Sequence, residues 1–382
     1  MTSQDSPSVA PYRAEVDNPV VARLKREGAI VLGKTTMSEF AWSGISRNPV
    51  TGITHNPWGR GLNAGASSAG AAAAAAAGFG ALHLGSDGAG SIRLPAHFCG
   101  VFGIKPTYGR VPQVPVSNND YATHVGPITR SVRDGALMLD VMTGAHALDR
   151  TSLEGGPTDH ASALALTDDP GPVAFSPDLG HARVDPDVGE VVLSAVERLR
   201  SELGWTVRDV APDWGPEGPE IGRFFWAALQ SKFLPEIERF GDDMSPDLVA
   251  CAREGAHYSV SEYHQMREWK NAYTGRIETS LQEWRFLITP VASVAAFPVE
   301  RVMPVHWPGH EWDWLSWAEF MYPFNMSGNP AASVPCGLTR SGLPVGLQIV
   351  GRRFDDLGVL RIACAIEALF GRFRAPNCSV TG

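Results

Sequence analysis

Seven consecutive alanines, Ala71 to Ala77, stand between two turns built of small residues, Gly65-Ala66-Ser67-Ser68-Ala69-Gly70 and Gly85-Ser86-Asp87-Gly88-Ala89-Gly90-Ser91. Alanine loses no side-chain entropy in a helix and presents a narrow surface, so the run predicts a buried helix whose backbone approaches a sheet closely, with a central place in the fold. Small residues ahead of Ser91 allow consecutive backbone N–H groups to converge on one spot, as stabilisation of an oxyanion requires. Glycine and serine turns are also ordinary loop chemistry. Two of them flanking one buried helix are harder to explain that way.

Around this centre, helix and strand patterns alternate. Val20 to Glu27 has helical spacing and is followed by an apolar run, Ala29 to Leu32, that reads as a short buried strand. The pattern returns at Ala69 to Ala77 with Ala81 to Leu84, and at Val188 to Leu203 with Trp205 to Val210. Val173 to Ser176, Phe286 to Thr289 and Val345 to Gly351 are further strand candidates, and Asp134 to Met142 and Leu357 to Leu369 are amphipathic helices. Such alternation predicts an α/β fold, a mixed β-sheet sandwiched between helical layers, in one domain over 1–382. Residues 224–317, rich in Trp, Arg and Glu, read as a variable covering region, and Gly155 to Pro172 as a surface connection.

Composition excludes several functions. A formal charge of −9 with no Lys/Arg run gives no footprint for nucleic acid. Five cysteines, odd in number and without a CxxC pair, argue for a reduced, cytoplasmic protein with no structural zinc. No secretory leader is visible, and the alanine-rich run is too weakly apolar to cross a bilayer. Gly28-Ala29-Ile30-Val31-Leu32-Gly33-Lys34-Thr35 fits the phosphate-loop pattern letter for letter, but a charged helix precedes it and its middle residues favour a strand, so nucleotide binding is rejected.

The chain resembles the amidase signature family, serine hydrolases that cleave carboxamide C–N bonds. The resemblance is carried by Val20 to Phe40, Asn56-Pro57-Trp58, the two serine turns, Phe98 to Thr107, Gly126-Pro127-Ile128-Thr129-Arg130, Asn325 to Pro330 and Gly342 to Gln348. It implies Ser91 as nucleophile, Ser67 as the bridging serine after a cis peptide bond, and oxyanion donors from Gly88, Ala89 and Gly90. It implies no cofactor and no metal. Ala66 and Ala69 replace glycines of the commoner pattern, and Gly88-Ala89 stands where Thr-Gly is usual, which is tolerable if no positive φ is needed. Arg93 and Asp87 are placed to brace the turn as an ion pair. His83, His97 and His124 lie nearby, but the nucleophile lacks the GxSxG elbow of a histidine-based hydrolase.

The family also implies a buried lysine, lowered in pKa by desolvation, as base. It belongs on a strand ahead of the bridging serine, and Lys25, Lys34, Lys105, Lys232 and Lys270 do not match that context. The resulting expectation is a chain truncated at its N-terminus and impaired as a catalyst. The function implied is hydrolysis of a small carboxamide through an acyl-serine. The alternatives are a catalytically impaired amide-binding remnant and the glutaminase subunit of a tRNA-dependent amidotransferase. Met37 and Tyr121 are candidate substrate contacts, with Trp42, Phe324 and the Trp-rich Glu311 to Trp317 as further aromatic candidates. The oligomeric state is open, a homodimer among the options.

Overall fold

The computed structural model describes residues 4–155, 158–165, 170–215 and 217–376. Cys378 and parts of the connection from Gly155 to Pro172 lie outside the described residues.

Helix α1 (Pro19–Arg26) opens with proline in its first turn and an Asn18 side chain that accepts from the Val20 N–H, and basic residues fill its last turn. Four short strands, β1 (Arg47–Asn48), β2 (Gly52–Ile53), β3 (His55–Asn56) and β4 (Gly59–Asn63), form two small antiparallel pairs. Helix α2 (Ala69–Ala77) ends at Gly78, which takes the left-handed conformation that closes a helix. Strand β5 (Leu82–Asp87), helix α3 (Arg93–Cys99), β6 (Phe102–Lys105), β7 (His124–Thr129) and α4 (Val132–Met142) follow. Next come β8 (Val173–Phe175), α5 (Pro186–Glu202) and β9 (Val207–Asp209). Helices α6 (Gly218–Gln230), α7 (Leu234–Phe240), α8 (Pro246–Gly255) and α9 (Val260–Glu283) lead to β10 (Phe286–Pro290). The chain closes with α10 (Tyr322–Met326), β11 (Ala331–Leu338), β12 (Pro344–Gly351) and α11 (Asp356–Phe370).

Eight strands form one mixed sheet in the order β5-β7-β6-β11-β12-β10-β8-β9. The β10-β8 and β8-β9 pairs are parallel and the others antiparallel. Apolar faces of α4, α5 and α11 cover one side, where Leu139, Val196 and Ile362 meet Ile349 and Val334. On the other side lie α2 and α3, with Ala72, Ala75, Ile92 and Ala96 packed beside Ile128. A mixed sheet between helical layers is thus the observed architecture, as alternation predicts.

Two local expectations fail. Ala29 to Leu32 forms no strand; Ile30 is 85 % and Leu32 81 % exposed, because no neighbouring strand among the described residues accepts its backbone. The alanine helix is not central either. It packs beside β5, the edge strand, and its far face is only half-buried. The stretch 224–317 holds most of the α6 to α9 layer and also contributes β10 to the sheet.

Candidate functional site

The two small-residue turns meet at the α2/α3 side of the sheet. The first follows β4 and runs into α2; the second joins the end of β5 to α3. Ser68 fastens them: its Oγ accepts from the Ser86 N–H at 3.2 Å, and its own N–H donates to the Ser91 carbonyl at 3.3 Å. Gly65, at φ +73°, lies so close to α3 that a Cβ would stand 2.6 Å from Pro95 Cα, so a glycine is required for the approach. The Ala66–Ser67 peptide is cis, as the resemblance implies. Ala66, Ala69 and Ala89 all avoid positive φ, so the three departures from the commoner glycines cost no backbone strain.

A buried ion pair holds the second turn. Asp87 and Arg93 are both fully buried, with Arg93 Nε 3.0 Å and Nη2 2.9 Å from the carboxylate oxygens. The same carboxylate accepts from the Gly90 N–H at 2.7 Å, the Ile92 N–H at 3.2 Å and Asn325 Nδ2 at 2.8 Å. The other guanidinium protons go to Gln348 Oε1 at 2.7 Å, Asn325 Oδ1 at 2.5 Å and the Met321 carbonyl at 3.1 Å. Burial pushes the Asp87 carboxyl up, but Arg93, Lys105 and the Asn325 amide outweigh it and hold it below the ordinary range. The brace expected from sequence is therefore present, and it is larger than expected: Asn325 and Gln348 belong to it. A buried arginine needs all five of its N–H groups met, and that requirement is the signal that could have found them.

This network decides which N–H groups of the turn are already engaged. The Gly90 N–H is committed to Asp87, so Gly90 is corrected as an oxyanion donor; its contribution is shape. At φ +120° a Cβ there would lie 2.4 Å from Met321 Sδ. The N–H groups of Gly88, Ala89 and Ser91 donate to no acceptor among the described residues. Sequence reasoning missed the Ser91 N–H. Ser67 and Ser91 are 2 % and 3 % exposed, and neither hydroxyl hydrogen-bonds to another described residue or to the other serine.

The histidines are structural. His83 Nε2 pairs with the Phe79 carbonyl, His124 Nδ1 with the Ala122 carbonyl, and His97 bridges the Gly346 N–H and the Val294 carbonyl. Burial lowers the pKa of all three, His97 to about 4. Lys105 is fully buried on β6 and donates to the Asn329 carbonyl; desolvation and then Arg93 pull its ammonium well below the ordinary lysine value, against Asp87 and Asp356. It makes no hydrogen bond to Ser67 or Ser91. Met37 is fixed through its backbone, its N–H donating to Asp5 Oδ2 at 2.7 Å and its carbonyl accepting from Asn48 Nδ2 at 2.8 Å. Tyr121, 53 % exposed, stands edge-on to Tyr108 in the loop next to Gly88. Trp42, Trp312, Trp314, Trp317 and Phe324 are core residues. A surface hollow of about 210 Å³ lined by Phe175, Pro177, Val192 and Leu193 shares no residue with the site. Among the described residues no group of three or more His, Cys, Asp or Glu could hold a metal, and no helix among them is long and apolar enough to cross a membrane.

Comparison with known proteins places this geometry. The family model described as Amidase matches residues 2–360. An acylamidase from Rhodococcus erythropolis is 38 % identical over 359 residues, covering 92 % of this chain and 74 % of the relative. A glutamyl-tRNA(Gln) amidotransferase subunit from Exiguobacterium sibiricum is 32 % identical, covering 94 % and 79 %. The crystal structure of a bacterial aryl acylamidase of the amidase signature family superposes with a TM-score of 0.85 at 27 % identity, covering 95 % and 77 %. These matches overturn the expected N-terminal truncation and the impaired remnant that went with it. They run through 92–95 % of the chain and 74–79 % of the relatives. That expectation rests on local contexts, the five lysines that do not match the family's strand and the likeness of Met1 to Pro7 to the segment after it, and local patterns are no measure of a whole chain.

Proposed function

The chain belongs to the amidase signature family and is a carboxamide hydrolase with a serine nucleophile, and from that premise we propose that Ser91 is the attacking residue, with Ser67 as its proton shuttle and Gly88, Ala89 and Ser91 as the oxyanion donors. The observation that carries the assignment is the set of three N–H groups with no acceptor among the described residues in the turn that ends at Ser91, a turn held by the buried Asp87–Arg93 pair. Preorganised donors of this kind stabilise charge that develops only in the transition state.

Ser91 Oγ attacks the amide carbonyl and its oxygen becomes an oxyanion facing the three N–H groups. Ser67 takes the Ser91 proton as it passes its own to the departing nitrogen, so the C–N bond breaks with no net proton change. Water then attacks the acyl-serine and the transfers reverse. The substrate is a small amide with an apolar or aromatic acyl or amine part. Support comes from Trp226 beside Gly88 and exposed Tyr121 at the adjacent loop, and from the likeness to an acylamidase. The free thiols of Cys99, Cys251, Cys336 and Cys364 support a reduced, cytoplasmic setting.

Hydrolysis of acetanilide and benzamide by the wild type, Ser91→Ala and Ser67→Ala tests the assignment. Wild type turns over, Ser91→Ala loses about 10⁴-fold or more, and Ser67→Ala about 10²- to 10⁴-fold, as removal of a nucleophile and a proton-transfer group require. A fluorophosphonate probe labels Ser91. Activity surviving in Ser91→Ala, or the label on another serine, overturns it. The glutaminase-subunit reading rests on weaker identity, 32 % against 38 %, and predicts co-purification with a tRNA-binding partner.

A further inference from the structure

The loop between Ser117 and His124 lies directly against the oxyanion turn. A Cβ on Gly88 would meet Asn119 Nδ2 at 3.1 Å, Thr123 Oγ1 at 3.6 Å and Trp226 Cζ3 at 3.8 Å. Within the loop, Asn119 Nδ2 donates to Thr123 Oγ1 at 3.2 Å, and the Asn119 N–H donates to Ser117 Oγ at 3.2 Å. The Asn119 Oδ1 accepts from no described residue. Asn325 Nδ2 donates to the Ala122 carbonyl at 3.1 Å and to the carbonyl and carboxylate of Asp87 at 2.8 Å each. The loop and the Asp87–Arg93 brace thus share one side chain.

The conformation of this loop is not one the chain adopts unaided. Asp120 at φ 38° and Tyr121 at φ 65° are consecutive residues with positive φ, a region disfavoured for any residue bearing a Cβ and least so for Asp and Asn. What holds it comes from far away in sequence. Lys270, on α9, makes a close ion pair with the Asp120 carboxylate and donates to the Asp120 carbonyl at 3.3 Å. Lys270 is 9 % and Asp120 14 % exposed, and the ammonium also lies over the Phe225 ring at 4.6 Å. Arg267 gives Asp120 a second, looser contact at 3.5 Å from a half-exposed position.

We infer that Lys270 is a positioning residue for the amidase reaction: its ion pair with Asp120 holds the Asn119–Thr123 loop in the conformation that binds the substrate amide beside the oxyanion turn. The inference rests on the Ser91 reading. It also gives α9 a task beyond covering the sheet, because a helix of the variable layer then sets the shape of the substrate entrance.

The consequence follows from a two-state loop. If losing the pair leaves the binding conformation only about a tenth populated, apparent substrate affinity falls about tenfold, since it scales with the competent fraction. Saturating substrate restores the loop, so KM rises while kcat changes little. Lys270→Met keeps an unbranched side chain of similar length and removes the charge, and with it the contact of the ammonium with the Phe225 ring. Asp120→Asn removes the other charge and still tolerates positive φ.

The experiment measures kcat and KM on acetanilide for wild type, Lys270→Met, Asp120→Asn, the double variant, Lys270→Arg and Ser91→Ala. It adds calorimetric titration of benzamide into Ser91→Ala with and without Lys270→Met. KM should rise about tenfold in each single variant with kcat within about threefold, the double variant should be no worse than the singles, and Lys270→Arg should recover most of the loss. In the Ser91→Ala background Lys270→Met should weaken benzamide binding by the same factor. Unchanged KM and unchanged benzamide affinity overturn the inference, as does a Lys270→Met that lowers only kcat or only melting temperature. Should Lys270→Met fail to fold, Asp120→Asn carries the same two readouts. An inactive wild type or an active Ser91→Ala sinks the Ser91 assignment instead, and the titration still decides the brace.

Discussion

Replacing Asp87 by Asn keeps the shape of the side chain and removes the centre of the buried network. The carboxylate collects N–H groups from Gly90, Ile92, the backbone, Nε and Nη2 of Arg93, and Asn325, all without solvent. An amide offers one acceptor oxygen, so at least two of these donors would face an NH₂ group. Each buried donor left unmet costs about 1–3 kcal/mol, and a buried cation deprived of its partner costs about 3–5 kcal/mol in all. We predict a loss of about 4 kcal/mol, a large part of the roughly 5–15 kcal/mol that stabilises a typical domain. Urea unfolding followed by tryptophan fluorescence reads the loss, with Ser91→Ala as a control that should unfold like wild type. Arg93→Met alone should cost a comparable amount, and the double variant distinctly less than the sum, because the second change removes a charge already orphaned by the first. The pair is also acid-sensitive. The folded carboxyl sits below its ordinary 3.8, so its contribution is complete above that pH and drains away as pH falls beneath it. A loss under about 1 kcal/mol for Asp87→Asn, or strict additivity with Arg93→Met, would refute the view that this pair holds the turn.

Two further titrations follow from buried groups outside the turn. His97, lowered by burial to about 4 against an ordinary 6.5, stays neutral in the folded chain while the unfolded chain takes a proton, so stability falls as pH drops from 6.5 towards 4, by up to about 3 kcal/mol. His97→Asn should show a shallower pH slope in that window by urea titration, with His83, His124 and His181, also lowered by burial, contributing to the slope that remains; an unchanged slope would place His97 in a polar setting. Glu319 is pushed up to about 8 by burial and by Asp313, against Arg223, so the folded chain keeps a proton that the unfolded chain releases near 4.5, and stability falls as pH rises between those values. Glu319→Gln should gain about 2 kcal/mol at pH 7 and flatten the curve from pH 5 to 8, measured calorimetrically; the same pH dependence as wild type would refute it.

Strands and helices were legible where their burial is decided locally. Strand β12 is apolar because both its faces are covered, and α5 carries its buried valines at helical spacing. Ala29 to Leu32 carries the same local signal and is not a strand, because a strand also needs a neighbour, and that neighbour is a property of the fold rather than of the segment. The alanine helix misled for a related reason: small residues license close approach without saying whether the sheet continues on both sides.

The site shows the same division between what a segment states and what the fold adds. Two small-residue turns, a serine in each and an Asp and Arg around one of them could be read directly. Which N–H groups remain for substrate could not, because Gly88, Ala89, Gly90 and Ser91 look alike in sequence, and only the position of the Asp87 carboxylate removes Gly90 and leaves the other three. Asn325 and Gln348 stand more than 230 residues from that turn, and Lys270 is 150 residues from Asp120. Their partners are fixed by the rule that buried donors and charges must be met, and that rule acts on neighbours in space. A small-residue turn therefore announces that a backbone site exists, while the distant polar residues that satisfy its brace decide which of its groups the site can use.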